Sequence, residues 1–373
     1  MTLDEAAARP IPSADELEGR WTLVPNPNPA TDKERRTALA HPGFGTQFTD
    51  HMARASYRNG SWTDRRIESY GPLALDPAAA VLHYGQEIFE GLKAYRHDDG
   101  GIWTFRPSYN AHRFNASARR LAMPELDPED FLASLVGLVR ADRDWVPEGE
   151  GTSLYLRPYA FASEPFLGVR AARELEYLVI ASPSGAYFTG GLSPIDVWVT
   201  RQYHRAGPGG MGAAKTGGNY ASSLLAKEEM AKSGFDEVCF LDAASAQIID
   251  ELGGMNVFVV RADGSVATPA LSGTILAGGT RSAILTLLRD RGIKASETAI
   301  RLSDLIADIE SGDVVEMFAC GTAAVVTPIG RLAGDDFDVS LEAGDITRSI
   351  HAELTDIQLG RATDRHGWNY RLV

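Results

Sequence analysis

The 373-residue chain is poor in cysteine, holding only Cys239 and Cys320, which excludes a disulfide framework. It also has too few bases to balance its acids. Thirty-six Lys and Arg stand against 50 Asp and Glu, a net charge of −14. Nucleic acid and anionic membrane are both repelled by such an average surface, so neither is expected as a partner. Long apolar runs are missing. The longest, residues 317–329, is too short to span a bilayer and is interrupted by Gly321, Thr322 and Pro328. The start lacks the basic region and apolar stretch of a secretion signal, since Asp4 and Glu5 precede the first base, Arg9. A cytoplasmic, reduced protein without a metal site is the expectation.

What is present is enough chain for two packed domains, at roughly 100–200 residues each. Residues 1–40 are polar and carry Pro25, Pro27 and Pro29, and read as an irregular arm. Beyond them, helices are expected at 80–95, 109–121 and 130–139, the last because Phe131, Leu135 and Val139 recur every fourth residue. Residues 153–157 and 177–181 read as strands. The glycine-bearing segment 183–194 is a candidate boundary. After it come a strand at 195–200, a helix at 220–232 and a strand at 237–241. Residues 256–266 form a hairpin turning at Asp263-Gly264. Thr280 and Ser303 are candidate helix caps, with Gly292 and Gly312 as stops, and 314–319 is the final strand. The pattern predicts two α/β domains with mixed sheets.

The most unusual segment runs from Gly207 to Tyr220. It places six glycines in twelve residues around a single lysine, Lys215. So much glycine means backbone that turns sharply or approaches something closely. Three readings compete. A nucleotide-binding P-loop needs glycine directly before the lysine, where Ala214 stands, and a helix directly after it, where Gly217-Gly218 follows. A surface loop with a solvated lysine is the plainest reading. The third is a pocketed amine: an ε-amine that attacks an aldehyde must be neutral, so it needs a partly desolvated setting that small residues allow.

The run Lys215-Thr216-Gly217-Gly218-Asn219-Tyr220 resembles the cofactor-lysine segment of branched-chain aminotransferases, within the fold-type IV pyridoxal-phosphate enzymes. The similarity extends from about Phe44 to the C-terminus. It implies an α/β (α+β) two-domain fold of the D-amino acid aminotransferase type, with mixed sheets and flanking helices. The implied divisions are a small domain over 41–183, an interdomain loop over 184–193 and a large cofactor-binding domain over 194–373. The implied cofactor is pyridoxal phosphate, which the resemblance joins to Lys215 as a Schiff base, with Tyr220 on its phenolic oxygen. In Asp250-Glu251-Leu252-Gly253-Gly254-Met255-Asn256 the resemblance assigns Glu251 to the ring nitrogen, where an anion improves the electron sink. Asp250 reads as a solvated loop acid. For the phosphate it points to Gly279 and Thr280, on a loop entering a helix, with Arg113 and Thr322.

The segment from His83 to Lys93 is similar to one the family uses at its dimer interface. It implies a homodimer, Phe89 in the side-chain pocket and Tyr84 reaching the other subunit's site. Phe44, Tyr155, Arg157 and Tyr187 match further pocket positions, and Thr322 and Ala323 the α-carboxylate site. Taken alone, each aromatic is ordinary core, but a charge at Arg157 between Leu156 and Pro158 needs a partner. The reaction implied is ping-pong amino transfer between Leu, Ile or Val and 2-oxoglutarate, with glutamate and the branched 2-oxo acids as the other partners. The alternatives on the same fold are a D-amino acid or amine transaminase and an aminodeoxychorismate lyase. Animal members carry a Cys-x-x-Cys redox pair at positions that here hold Ala324 and Thr327, so no thiol switch is expected.

Overall fold

The computed structural model describes residues 1–185 and 192–373. The chain divides into two units, one of residues 1–187 and 356–373 and one of residues 188–355.

The sheet of the first unit runs in the order Thr22–Leu23, Ser61–Ser69, His51–Arg58, Leu175–Ser184, Ser153–Ala162, Leu92–Arg96, Ile102–Phe105 and Asn369–Arg371. Glu87–Phe89 pairs separately with Ser153–Ala162. Thr22–Leu23 is parallel to its neighbour, and the other pairs are antiparallel. Two helices, Pro107–Arg120 and Pro128–Ala141, join it. The second begins where local chemistry demands. The Asp127 side chain accepts from the Glu129 N–H, and Pro128 takes a first-turn position where its missing N–H leaves nothing unsatisfied. Phe131, Leu135 and Val139 then bury one stripe beside Phe114 and Tyr177. Each such side chain contributes about 1.5–3 kcal/mol by leaving water.

This core decides where the Ser153–Ala162 strand points its side chains. Leu154 and Leu156 enter the core. Successive strand residues face opposite sides, so Tyr155 and Arg157 share the other face. Lys93, opposite Tyr155 in the ladder, lies on that face too.

The second unit holds a mixed sheet in the order Ile249–Leu252, Glu237–Leu241, Ile195–Thr200, Val325–Gly334, Val314–Gly321, Asn256–Arg261, Val266–Pro269 and Ala295–Thr298, with Phe337–Ser340 on Val325–Gly334. Ile195–Thr200 is parallel to both its neighbours. Helices Gly217–Lys232, Gly279–Asp290 and Leu302–Ser311 accompany it. The architecture is the expected one of mixed sheets with flanking helices. Among the described residues, no helix is long and apolar enough to cross a membrane.

Several local expectations need correction. Residues 1–40 are not wholly irregular: Leu3–Ala7 and Asp32–Ala40 are helices, each opened by a Thr-x-x-Glu capping box at Thr2–Glu5 and Thr31–Glu34. The helix expected over 80–95 stops at Tyr84, because Gly85 turns left-handed at φ +58, and the rest becomes two strands. Thr280 and Ser303 lie inside their helices, whose caps are Gly278 and Arg301. The strand at 314–321 is not the last, since Val325–Gly334 pairs with it and two more strands follow. Residues 356–373 belong with the first unit, where Asn369–Arg371 extends its sheet, and not with the second.

Candidate active site

The glycine run is folded against residues 272–274. A Cβ on Gly212 would lie 2.1 Å from the Thr274 carbonyl oxygen, so no other residue fits there without moving backbone. The Ala213 N–H donates to the Gly273 carbonyl, and the Asn219 amide donates back to the Met211 and Ala214 carbonyls, each at 2.8 Å. That clamp fixes the backbone on both sides of Lys215 and explains an asparagine just inside the following helix. Lys215 Nζ donates to the Tyr220 hydroxyl at 2.6 Å. A P-loop is ruled out, because the helix starts only at Gly217, after the lysine and threonine.

Glu251 is buried in the Ile249–Leu252 strand. Its carboxylate accepts from the Leu276 N–H at 2.9 Å and the Asn256 amide at 3.1 Å. It also pairs with Arg205 at 2.7 Å, both side chains being 3% exposed. Burial pushes Glu251 up to about 7, opposed by the Arg205 charge and the Leu276 N–H. Asp250 is a correction: it is no solvated loop acid but a buried strand residue, likewise pushed upward by burial.

Sequence reasoning missed Arg205. The available signal was physical: a carboxylate expected in a dry site requires a cation, and Arg205 stands just ahead of the glycine run. The same guanidinium lies 5.9 Å from the centre of the Tyr220 ring, which links the acid to the phenol that holds Lys215.

From Glu251 the network continues to the next helix. Asn256 also donates to the Leu276 carbonyl, and a Cβ on Gly278 would sit 2.1 Å from Asn256 Oδ1. The helix Gly279–Asp290 starts there, with Gly279 and Thr280 in its first turn, where backbone N–H groups and the helix dipole favour anions. Thr322 and Ala323 form the turn after Val314–Gly321. Gly321 packs near Gly254, and Gly254 faces the Tyr220 ring. Lys215, Tyr220, Glu251, Gly279, Thr280, Thr322 and Ala323 therefore belong to one neighbourhood of the second unit.

The remaining expected residues lie in the first unit. Phe44 meets Tyr155 edge-on at 5.1 Å. Arg157 donates to the Tyr155 hydroxyl at 2.9 Å and stacks 4.8 Å over Phe89. Gly91 permits this arrangement, since a Cβ there would overlap the Tyr155 hydroxyl. Tyr84 does not join them: it is exposed on the Ala80–Tyr84 helix and donates to the Leu167 carbonyl. Arg113 is buried and grips Glu90 with two nitrogens, each at 2.7 Å, so its charge is balanced within the unit. Tyr187 lies outside the described residues.

Residues 87–332 match the amino-transferase class IV family. The chain belongs to that family. It is 50% identical to the probable branched-chain-amino-acid aminotransferase of Streptomyces coelicolor, over 94% of this chain and 98% of that protein. It is 49% identical to the branched-chain-amino-acid aminotransferase of Mycolicibacterium smegmatis, again over 94% and 98%. Among solved structures, the Escherichia coli branched-chain amino acid aminotransferase superposes with a TM-score of 0.72 at 29% identity, covering 86% of this chain and all of that one. The T.th. branched-chain amino acid aminotransferase complexed with N-(5'-phosphopyridoxyl)-L-glutamate gives 0.68 at 27% identity, covering 86% of this chain and 99% of that one. The class IV match spans both units, from the Glu87–Phe89 strand to the Val325–Gly334 strand.

Proposed function

We propose that this class IV amino-transferase moves the amino group between leucine, isoleucine or valine and 2-oxoglutarate, with pyridoxal phosphate held at Lys215. One observation carries the reading: a lysine bonded to a phenol, beside a buried acid–guanidinium pair that is tied through Leu276 to a helix N-terminus. Pyridoxal phosphate asks for those three chemistries: an amine for its aldehyde, an acid for its ring nitrogen and backbone donors for its phosphate. Gly212 and Gly278, where any Cβ would overlap a neighbour, suit a site in which backbone closes tightly around a flat ligand. Half-identity to proteins named branched-chain aminotransferases supports the substrate class. A solved relative holding a phosphopyridoxyl-glutamate compound supports the cofactor and one amino donor.

When bound, the cofactor supplies an aldehyde that takes up the amino group and a ring that draws electrons from Cα. Lys215 would anchor it and would move the Cα proton of the substrate at Nζ. Glu251 holds a proton at the ring nitrogen, and Tyr220 bonds the phenolic oxygen. Gly279, Thr280 and Thr322 would hold the phosphate. Thr322 and Ala323 hold the α-carboxylate. Phe44, Phe89 and Tyr155 wall an aliphatic side chain with rings that lose little entropy on binding. Arg157 meets the γ-carboxylate of glutamate. The exposed Tyr84 completes the pocket of a second copy in a homodimer, working in the cytoplasm.

The purified protein, given pyridoxal phosphate, is expected to absorb in the visible and to make glutamate from leucine and 2-oxoglutarate. Lys215→Ala is expected to lose both properties. More than trace turnover by that variant would remove Lys215 from this role, and pyruvate release without glutamate formation would make the protein a lyase.

A further inference from the structure

We propose that Arg205 is a positioning residue that keeps Glu251 ionised and aimed at the ring nitrogen. The inference rests on the reading of Glu251 given above. Its basis is a count of donors. Glu251 meets the Leu276 N–H, the Asn256 amide and the Arg205 guanidinium, and these three donate without accepting. A protonated Glu251 would add a hydroxyl hydrogen that none of the three can take. The surroundings are therefore made for the carboxylate form, and of the three only Arg205 brings a full charge.

The pair is a poor choice for stability alone. Arg205 is 5% exposed, its Nε is buried without a hydrogen-bond partner, and its guanidinium also makes a long 3.3 Å bond to the Thr274 carbonyl. A buried ion pair gains little over well-packed apolar residues, and an orphaned N–H makes it worse. Its position suggests another purpose. One guanidinium touches the acid and faces the ring of Tyr220, whose hydroxyl accepts from Lys215.

Other charged and titratable groups bear on Glu251 more weakly. Asp250, its strand neighbour, raises it; Lys215 lowers it; the Cys320 thiol faces it from the Val314–Gly321 strand. Burial dominates and drives Glu251 to about 7, with Arg205 the largest opposing influence. Without Arg205 burial would lose its largest opposing charge, so the acid would shift toward its neutral form and hold a ring-nitrogen proton by charge less well.

The test is an infrared titration of the full-length protein without cofactor. The protonated Glu251 carboxyl band is identified as the one missing from Glu251→Gln. Arg205→Met and Arg205→Gln are each expected to raise its midpoint by about 1–3 units, the usual effect of an opposite charge at contact distance. Arg205→Lys, which restores the charge, is expected to return it toward the wild-type value. If Arg205→Met does not fold, Arg205→Gln carries the comparison. A midpoint unmoved in the folded neutral variant, or raised as far by Arg205→Lys, overturns the proposal.

The second readout is kinetic, on protein loaded with pyridoxal phosphate. Adding Arg205→Met to Glu251→Gln is expected to lower kcat no further than Glu251→Gln alone, because both changes remove one function. A further loss places the role of Arg205 elsewhere. If the wild-type protein takes up no pyridoxal phosphate, the functional reading fails, while the infrared titration still decides the pair.

Discussion

Arg157 and Tyr155, two positions apart on one strand, point the same way and are joined by a 2.9 Å hydrogen bond from the guanidinium to the phenol oxygen. The cation also stacks on Phe89, so a charge and an aromatic wall share one surface. Such a surface accepts an aliphatic side chain on its rings and a carboxylate on its fork. Arg157→Met is therefore expected to slow the glutamate half-reaction by roughly 10- to 100-fold, the worth of one charged hydrogen bond, and to leave the leucine half-reaction within a few-fold. Single-turnover spectra separate the halves. Equal losses in both would mean that Arg157 only supports the strand.

Gly212 and Gly209 make a matched pair in the lysine loop. A methyl on Gly212 collides with the Thr274 backbone, whereas Gly209, at φ +72, has open space around it. Gly212→Ala is expected to displace Lys215 and lower activity at least about tenfold, with about 1–3 kcal/mol of lost stability. Gly209→Ala should bring only the left-handed backbone penalty, about 1–2 kcal/mol, with activity nearly intact. Urea unfolding and leucine turnover on both variants check this; equal behaviour would refute the assigned close approach.

His51 Nδ1 lies 2.6 Å from the buried Asp142 carboxylate. That bond raises the imidazole above its ordinary value and outweighs its burial. The Asn26 N–H donates to Nε2 at 3.1 Å and prefers the neutral ring, but one long neutral bond is the weaker influence. A folded value above the unfolded one means that the added stability is complete below about pH 6.5 and declines as pH rises through the folded value. His51→Gln is expected to destabilise by about 1–3 kcal/mol at pH 6 and by less at pH 9. A destabilisation that grows with pH would contradict the pairing.

Both thiols are sealed in the second unit. Cys239 and Cys320 are buried, and burial pushes each up to about 12. Thiolate is the reactive form, so a thiol reagent at neutral pH is expected to label neither in the native protein and both after denaturation. Activity should be indifferent to mild oxidation. Reversible inactivation that Cys320→Ser abolishes would show an access route to that thiol.

How far the sequence reached depended on the range of the interaction. The tight backbone around Lys215 was legible because a six-glycine loop leaves a local signature, and the helix at Pro128–Ala141 because Asp127, Pro128 and a four-residue apolar repeat are all local. The two capping boxes in the first forty residues were equally local, and were hidden only by the prolines between them. Helical spacing misled over residues 80–95, since short apolar runs fit either period until a left-handed Gly85 breaks the chain.

The rest needed the tertiary structure. The burial of Asp250, the return of residues 356–373 to the first sheet and the pairing of Arg113 with Glu90 are set by neighbours distant in sequence. The clearest case is Arg205. In sequence it is one arginine before a loop, and Glu251 one acid beside another. The Ile249–Leu252 strand pairs against Glu237–Leu241, turns Glu251 inward and leaves it in a dry interior where it must meet a cation. Local chemistry thus determined which residues could react, and strand pairing determined which charges they feel, because electrostatic coupling depends on distance and burial that no linear pattern encodes.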